Sequence, residues 1–288
     1  MDKTRIRHAA KFSKAAYIIG QDGKTKDSID EVNALVADTG FRIDPALSDE
    51  NISTFRNSTT GAYHIAHKGT QVGASTGLSD LIADAAFAYG RNTAHVTSRT
   101  AATERIIDQI DPDARISMSG HSLGGHTASY AMANSQKVQQ RVAELDTFDA
   151  ANNFIHPVDL RVPKETRAAL DGKVTHHRMN ADLVSLGEQF PHAVPFGKAV
   201  TYKLNSKNMG TIERALYAHE IDHFIDKDLR VKGEKREPDD APAPIRAESA
   251  PPPTQDAMSA GSGSAPYVNA PSLCRQYPYL PECAGLIK

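Results

Sequence analysis

A serine flanked by glycines at fixed spacing is the residue of this sequence with the clearest capacity for chemistry. Gly120, Ser122 and Gly124 fit the pattern G-x-S-x-G, a sharp turn that presents a serine hydroxyl as a nucleophile. The glycines remove the Cβ atoms that would collide where a strand and a helix meet closely. The pattern predicts a strand over 114–119 before the serine and a helix over 123–134 after it. The alternative interpretation is a glycine-rich turn without a catalytic role.

A nucleophilic serine needs a histidine as base and an acid that holds the histidine in one tautomer. In folds of this kind the order along the chain is serine, acid, histidine. Asp182 follows a predicted strand over 173–178 and is the first candidate for the acid. Asp146 and Asp149 end the preceding predicted strand and are the alternatives.

Two histidines near the end of the predicted globular part can supply the base. His219 is the first candidate, and His223 is the fallback base. Three other histidines receive structural interpretations: His126 is predicted on the surface of the helix after Ser122, and His176 and His177 are predicted to be packed or exposed on a strand.

The same stretch also satisfies the zinc motif H-E-x-x-H, through His219, Glu220 and His223. In that motif two imidazoles one helical turn apart bind zinc, and the glutamate activates a water. Zinc needs a third protein ligand, and the extended form of the motif fails because Asp226 and Leu229 occupy the required positions. A zinc metalloprotease is therefore a minor alternative.

Together these motifs resemble those of the class three lipases, the fungal-lipase-like branch of the α/β-hydrolases. The stretches that carry the resemblance follow the family's order: His67-Lys68-Gly69-Thr70, Asp80-Leu81-Ile82-Ala83-Asp84, Gly120 to Gly125, Asn180-Ala181-Asp182-Leu183-Val184, and His219 to Phe224. The resemblance spans roughly residues 12–225. The sequence departs from the family pattern at His67, Lys68 and Leu183, where the family has an aromatic residue, Arg and Pro.

The resemblance implies an α/β-hydrolase fold and a serine hydrolase that cleaves carboxylic esters of lipids, either an acylglycerol lipase or a phospholipase of the A1 type. It implies Ser122, Asp182 and His219 as the catalytic triad. It further implies that the backbone N–H groups of Thr70 and Leu123 form the oxyanion hole, and Leu123 begins a predicted helix whose first N–H groups are free. Such a mechanism requires no metal and no organic cofactor. The substrate is expected at a membrane or lipid–water interface.

The family also has a lid close to residues 70–90, and this segment carries an apolar stripe. The members of the stripe are Leu78, Leu81, Ile82, Ala85 and Ala86. The stripe is predicted either to line the acyl site or to belong to an ordinary core-facing helix.

Strands alternating with helices predict an α/β fold with a mostly parallel central sheet covered by helices on both faces. The remaining predicted elements are helices over 9–20, 28–39, 79–89 and 97–110, a hairpin formed by 51–56 and 62–66, a strand over 141–148 and a closing helical segment over 211–226.

Composition predicts a lipase-like domain over 1–232 followed by a disordered linker over 233–271. The linker contains eight of the 16 prolines of the chain and is rich in Ala and Ser, so it buries too little apolar surface to fold. A segment over 272–288 is bracketed by Cys274 and Cys283. It is either a disordered tail with two free thiols or a docking motif for a protein partner, closed by a disulfide. A non-catalytic lipase-like module tethered by this tail is the second functional alternative.

Charge and hydropathy exclude several classes of protein. The 33 basic and 35 acidic side chains give a net charge of −2, so nucleic acid is not expected as the main partner. An apolar fraction of 40% excludes a wholly disordered chain. No stretch reaches the roughly 18 apolar residues of a membrane-spanning helix, and residues 1–20 lack the apolar core of a Sec signal peptide. A cytoplasmic location is the default expectation, with packaging in an assembly or export by another route as the alternatives.

Overall fold

A mixed sheet with helices on both sides organises the described part of the chain. The computed structural model describes residues 2–70, 93–150, 162–182, 196–204, 209, 214, 217–225 and 229–230. The chain divides into two units, Met1–Lys235 and Arg236–Lys288, and all described residues belong to the first. The predicted linker, the Cys-bracketed segment and the apolar stripe of the predicted lid lie outside the described residues. Their boundaries and roles stay predictions.

Among the described residues the strands lie side by side in chain order. The strands are β1 (Phe41–Ile43), β2 (Ile52–Asn57), β3 (Tyr63–His67), β4 (Ile116–His121), β5 (Val142–Phe148), β6 (Val174–Met179) and β7 (Lys198–Tyr202). Strands β1 to β3 pair antiparallel, and β3 to β7 pair parallel. The helices are α1 (Lys3–Asp22), α2 (Lys26–Leu35), α3 (Thr93–Asp108), α4 (Leu123–Asn134), α5 (Gln136–Arg141), α6 (Lys164–Asp171) and α7 (Asp222–Ile225), with a 3₁₀ turn at Ala37–Thr39.

Alternate residues of the central strands point to opposite faces of the sheet, and each face has its own helices. On β4, Ile116 and Met118 join a core with residues of α4, α5 and α6. Ser119, the residue after Met118, points to the opposite face towards α1, where its Oγ lies 2.8 Å from Oγ of Ser13. The described helices between the parallel strands pack on one face, and α1 covers the other. The predicted α/β fold class, with a mostly parallel central sheet covered by helices on both faces, is confirmed.

Local signals explain where α1 begins and ends. The side chain of Asp2 accepts hydrogen bonds from the N–H groups of Thr4 and Arg5, which caps the first turn. Gly23, with φ of 70°, follows the last residue. The helix is therefore longer than the predicted 9–20. No helix among the described ranges is both long and apolar enough to cross a membrane.

Several elements differ from the sequence predictions. The helix predicted over 28–39 ends at Leu35, where the chain tightens into the 3₁₀ turn and then reaches Gly40 at φ 76°. Strands β1 and β7 and helices α5 and α6 were not predicted, because each is too short to show a clear hydrophobic period. The helix after Ser122 spans Leu123–Asn134, as the sequence predicted.

The closing segment predicted as helical over 211–226 is interrupted among its described residues. Residues 217 and 218 are helical, 219–221 form turns, and α7 begins only at Asp222. The backbone bonds here join residues three apart, such as Glu220 N to Tyr217 O and Phe224 N to Ile221 O. His219 therefore lies in a tight turn and not in a regular helix.

Four histidines are buried within the fold and make two hydrogen bonds each to uncharged groups. Their partners are Ser117 and Ser119 for His64, Thr103 and Thr127 for His67, Tyr17 and the His219 carbonyl for His121, and Thr147 and the Phe196 carbonyl for His176. Burial lowers the pKa of His64, His67 and His121 to about 3 and that of His176 to about 4. The four rings are therefore neutral in the folded protein at neutral pH.

These rings make the fold sensitive to acid. In the unfolded chain these rings bind protons near pH 6.5, whereas in the folded protein they bind protons only near pH 3 to 4, because burial lowers their pKa. The unfolded state thus binds more protons within this window, and the free energy of unfolding falls as the pH falls through it. Each ring contributes up to ~1.4 kcal/mol per pH unit. We expect the urea midpoint of unfolding to fall steeply between pH 6.5 and 4. In His67→Gln the unfolding free energy should depend less on pH, by up to ~1.4 kcal/mol per pH unit. The same pH dependence in this variant and the wild type would contradict this account.

Candidate active site

Ser122 lies in a strained turn between β4 and α4. Its φ of 54° and ψ of −125° are rare for a residue with a side chain. The turn is fixed to the neighbouring strand because Ser122 N donates to the Phe148 carbonyl at 2.9 Å. A Cβ atom at Gly120 would lie 2.4 Å from the carbonyl of Gly124. The glycines are thus required by the close meeting of strand and helix, which is the reason the sequence predicted for them.

The imidazole of His219 lies between Ser122 and Asp182. Its Nε2 is 2.9 Å from Ser122 Oγ, and its Nδ1 is 2.9 Å from Asp182 Oδ1. An ionised carboxylate only accepts, so Nδ1 carries the proton and Nε2 can accept from the serine hydroxyl. All three side chains are buried, with 5%, 8% and 1% exposure for Ser122, His219 and Asp182. The structure brings together the three residues that the sequence selected first.

Turns rather than regular elements carry the acid and the base. Asp182 follows β6, and its N–H donates to the Met179 carbonyl at 3.3 Å. The turn is also held by Asn180, whose N–H donates to the Tyr202 carbonyl and whose side chain accepts from Leu204 N. His219 lies in the interruption before α7, as described above. Both side chains therefore reach the carboxyl edge of the parallel strands.

The alternative acids and the fallback base make other contacts. Asp146 pairs with His177 Nε2 at 2.8 Å and with Arg5 at 2.5 Å. Asp149 accepts from Met179 N at 2.8 Å. His223 donates through Nε2 to the Tyr217 carbonyl. Of the two candidate bases, His219 is the one within hydrogen-bond distance of Ser122.

The helical H-E-x-x-H interpretation is wrong. It requires His219 and His223 on one continuous helix, whereas His219 lies in a turn and α7 begins three residues later. Both ring nitrogens of His219 are also within hydrogen-bond distance of Ser122 and Asp182. The two imidazoles are therefore not arranged as the motif needs for zinc.

The three histidines that the sequence placed outside the catalytic series are buried. His126 is 2% exposed, so the prediction of a helix-surface histidine is wrong: α4 packs against α3 on one side and the sheet on the other. His176 and His177 are packed within the sheet, with 2% and 1% exposure. The packed alternative of their prediction is the one observed.

The loop after β3 contacts the turn that carries Ser122. Strands β3 and β4 pair in register, with His67 opposite Gly120. A Cβ at Gly69 would lie 2.6 Å from the His121 carbonyl, and one at Gly124 only 2.1 Å from the His67 carbonyl. This backbone contact places Thr70, the next residue of the loop, beside the turn.

Leu123 and the start of α4 supply the second predicted oxyanion donor. Leu123 is the first residue of the helix, so its N–H has no acceptor within the helix and lies at the positive end of the helix dipole. The opposite loop is held by Arg99, whose guanidinium donates to the Lys68 carbonyl and to Asn51 Oδ1. The arrangement suits the stabilisation of negative charge near Ser122 Oγ.

A directed chain of hydrogen bonds connects this loop with the backbone of the base. His121 Nε2 must donate to the His219 carbonyl, at 2.7 Å, because a carbonyl only accepts. Its Nδ1 therefore accepts from the Tyr17 hydroxyl at 2.8 Å. Gly69 packs against the Tyr17 hydroxyl, because a Cβ at this glycine would lie 2.1 Å from the hydroxyl oxygen. Burial raises the pKa of Tyr17, so the hydroxyl keeps its proton and the chain keeps its direction. This contact between α1 and the site was not visible in the sequence.

One group of described residues, His121, Asp149 and His219, has potential metal-ligand atoms within 4.8 Å of one another. Zinc binds its ligands at about 2.0 to 2.2 Å, and both ring nitrogens of each histidine already have hydrogen-bond partners. An ion would have to replace these bonds. We therefore assign the group to the hydrogen-bonded site and not to a metal.

Comparison with known proteins gives the following similarities. Residues 47–158 match the family described as Mbeg1-like, a segment that includes Ser122. The structure is similar to Lip2 lipase from Yarrowia lipolytica, with 12% identity, a TM-score of 0.43, and coverage of 73% of this chain and 82% of that chain. It is also similar to lipase II from Rhizopus niveus, with 12% identity, a TM-score of 0.41, and coverage of 74% of this chain and 84% of that chain. A triacylglycerol lipase from Penicillium expansum has 15% identity, a TM-score of 0.38, and coverage of 74% of this chain and 85% of that chain. No curated protein matches the sequence. The likeness to these structures concerns the course of the chain, and what the site can do follows from its own contacts.

The close backbone contact at Gly124 predicts a large effect of one methyl group. In Gly124→Ala the new Cβ would lie 2.1 Å from the His67 carbonyl oxygen. Backbone must shift to relieve this clash, so we expect a loss of at least about 2 kcal/mol of stability and a melting temperature lower by ~5 °C or more. Gly172→Ala is the matched control, because Gly172 has φ −83° and no atom within 4 Å of its added Cβ. Equal melting temperatures for the two variants would contradict the clash.

The hydrogen-bond chain predicts an effect of Tyr17 on the reactivity of Ser122. Tyr17→Phe removes the donor to His121, and thus loosens the hold of His121 on the His219 carbonyl. We expect a fluorophosphonate to label Ser122 about tenfold more slowly, equivalent to ~1.4 kcal/mol. Tyr130→Phe, two helical turns beyond Ser122 on α4, is the control and should label at the wild-type rate. Equal labelling rates for the wild type and both variants would contradict an effect of Tyr17 on the reactivity of Ser122.

Proposed function

We propose that this protein is a serine hydrolase that cleaves carboxylic esters of lipids. The observation that carries the proposal is the continuous hydrogen-bonded series Ser122, His219 and Asp182, with both bonds at 2.9 Å. The strained backbone of Ser122 supports the same role, since strain of this kind is retained where a function requires it. The general class supported is a lipase-like hydrolase of carboxylic esters.

In the proposed mechanism His219 accepts the proton of Ser122 through Nε2 while Oγ attacks the acyl carbon of the ester. Asp182 stabilises the imidazolium that forms, through the proton on Nδ1. The carbonyl oxygen becomes an oxyanion, and the N–H groups of Thr70 and Leu123 donate to it, each worth about 3 kcal/mol. His219 then protonates the leaving alcohol. In the second half of the reaction His219 takes a proton from a water that attacks the acyl-enzyme, and returns it to Ser122 Oγ as the fatty acid leaves. No step requires a metal or an organic cofactor.

Lipid is proposed as the substrate class on the strength of the motif order that resembles the class three lipases. The stretches after β3, around Ser122, after β6 and around His219 meet at one edge of the sheet, where the resemblance requires them. The proposal assigns this activity to residues 1–232, with 233–271 as a disordered linker and 272–288 as a short Cys-bracketed segment that is either a tail or a docking motif for a protein partner. Acylglycerol and phospholipid both carry the ester that this mechanism cleaves.

Replacing the nucleophile tests the catalytic proposal. Wild-type protein should hydrolyse p-nitrophenyl esters of short fatty acids, and Ser122→Ala should reduce kcat by a factor of about 10⁴ or more. The matched control is Ser58→Ala, in the exposed turn between β2 and β3, which should retain full activity. Activity of Ser122→Ala equal to the wild type would exclude this serine and favour the non-catalytic module. Activity lost on chelation but retained in Ser122→Ala would favour zinc chemistry.

The lipid class is decided by the products. Vesicles of pure phospholipid and emulsions of triacylglycerol are incubated side by side with the wild type and with Ser122→Ala. Mass spectrometry of the released fatty acids and of the remaining lipids identifies the ester that was cleaved and its position. Hydrolysis of water-soluble esters alone would contradict the lipid assignment and retain the serine mechanism.

A further inference from the structure

Asp149, the first residue after β5, has a backbone conformation that its side chain makes costly. Its φ is 41°, and Ser122 is the other non-glycine residue with positive φ among those described. Glycine adopts this region freely, whereas an aspartate there costs free energy that the surrounding structure must offset. The position therefore retains a side chain at an energetic cost, and that side chain is fully buried.

The contacts of Asp149 place it between the nucleophile and the acid. Its neighbour Phe148 accepts a hydrogen bond from Ser122 N at 2.9 Å, and Asp149 N donates to the His177 carbonyl at 2.8 Å. Its Oδ1 accepts from Met179 N at 2.8 Å, and the Met179 carbonyl in turn accepts from Asp182 N. Asp149 is thus bonded to the residue from which the Asp182 turn begins.

The carboxylate of Asp149 also faces the imidazole of the base. One of its oxygens lies within 4.8 Å of a ring nitrogen of His219 and of a ring nitrogen of His121. His121 is neutral and contributes no charge, since burial lowers its pKa to about 3. Asp182 is the other carboxylate at the ring. In a buried site an anion at this distance interacts more strongly with a developing imidazolium than it would in water.

Other titratable groups around the ring lie further out among the described residues. Tyr17 reaches His219 through His121, and burial raises its pKa, so it stays uncharged. Lys14 and Asp222 form an ion pair with each other at 2.5 Å on the α1 and α7 side, where their charges offset. Among the residues that the structure describes, Asp149 and Asp182 are therefore the carboxylates next to the His219 ring.

We propose that Asp149 is a positioning residue that acts through His219, as a second carboxylate that stabilises the imidazolium formed when Ser122 loses its proton. The kinetic consequence rests on the proposed function, whereas the effect on the protonation of His219 does not. The proposal explains why an aspartate occupies a backbone position that suits glycine.

Two neutral variants test the charge of Asp149 and separate it from its other contacts. Asp149→Asn retains an acceptor for Met179 N and tolerates the positive φ, and Asp149→Gly removes the side chain and relieves the backbone. Full-length protein is labelled on its histidines, and the ring signals are followed by NMR as a function of pH. His219 is identified as the signal missing from His219→Gln.

We expect the titration midpoint of His219 to move to lower pH by about one unit in both variants, a tenfold loss of proton affinity. Asp146→Asn is the matched control, a buried carboxylate beside a different imidazole, and should move His177 while leaving His219 unchanged. If Asp149→Asn does not fold, Asp149→Gly carries the test, because it removes the strain as well as the charge. A His219 midpoint equal to that of the wild type in the folded variants overturns the proposal.

Labelling kinetics distinguish this inference from the proposed function. The rate at which a fluorophosphonate labels Ser122 is measured across pH in the wild type and the Asp149 variants. We expect the acid limb to move to lower pH and the plateau rate to fall several-fold, a pattern that a purely structural role would not give. A wild type that is never labelled contradicts the hydrolase, while the NMR titration still decides for or against Asp149.

Discussion

The site depends on one imidazole that makes two hydrogen bonds in fixed directions. His219 can accept from Ser122 and donate to Asp182 only while its ring is neutral and protonated on Nδ1. The residue lies in a turn and not in a regular helix. The bond from His121 to the His219 carbonyl then fixes the backbone that the turns leave without helical partners.

The parallel strands explain why residues far apart in sequence can meet this requirement. Strands β4, β5 and β6 run side by side in the same direction, so the residues that follow them lie at one edge. The chain leaves these strands with Ser122, Asp149 and Asp182 in that order. Glycines at the end of β3 and at the start of α4 let backbones touch there, and this contact holds the loop of Thr70 beside the serine. The sheet thus brings the ends of these strands together, and short turns after the strands carry the side chains of the site to one another.

The sequence was sufficient to predict the fold class and the three residues of the hydrogen-bonded series, because strand and helix periods and the order serine, acid, histidine are local or sequential signals. It could not predict contacts that depend on packing. His126 has the spacing of a helix-surface residue, yet α3 and the sheet cover it. The interruption at His219 has no signal in the helical spacing of residues 211–226. Asp149 was an alternative acid by sequence, and its contact with Met179 exists only once β5 and β6 pair.

A second series of aspartate, histidine and hydroxyl in the same molecule shows that hydrogen-bond distances alone do not identify a catalytic series. His177 lies 2.8 Å from both Asp146 Oδ1 and the Tyr202 hydroxyl, a geometry as good as that around His219.

Two properties separate the two series. The hydroxyl of the His177 series belongs to a fully buried phenol, and its carboxylate is shared with Arg5, so it forms a charge-balanced interior network. Ser122 instead has a strained backbone at the strand edge, with free N–H groups of a helix start beside its oxygen. The environment of the hydroxyl therefore favours His219 over His177 as the base of the proposed reaction.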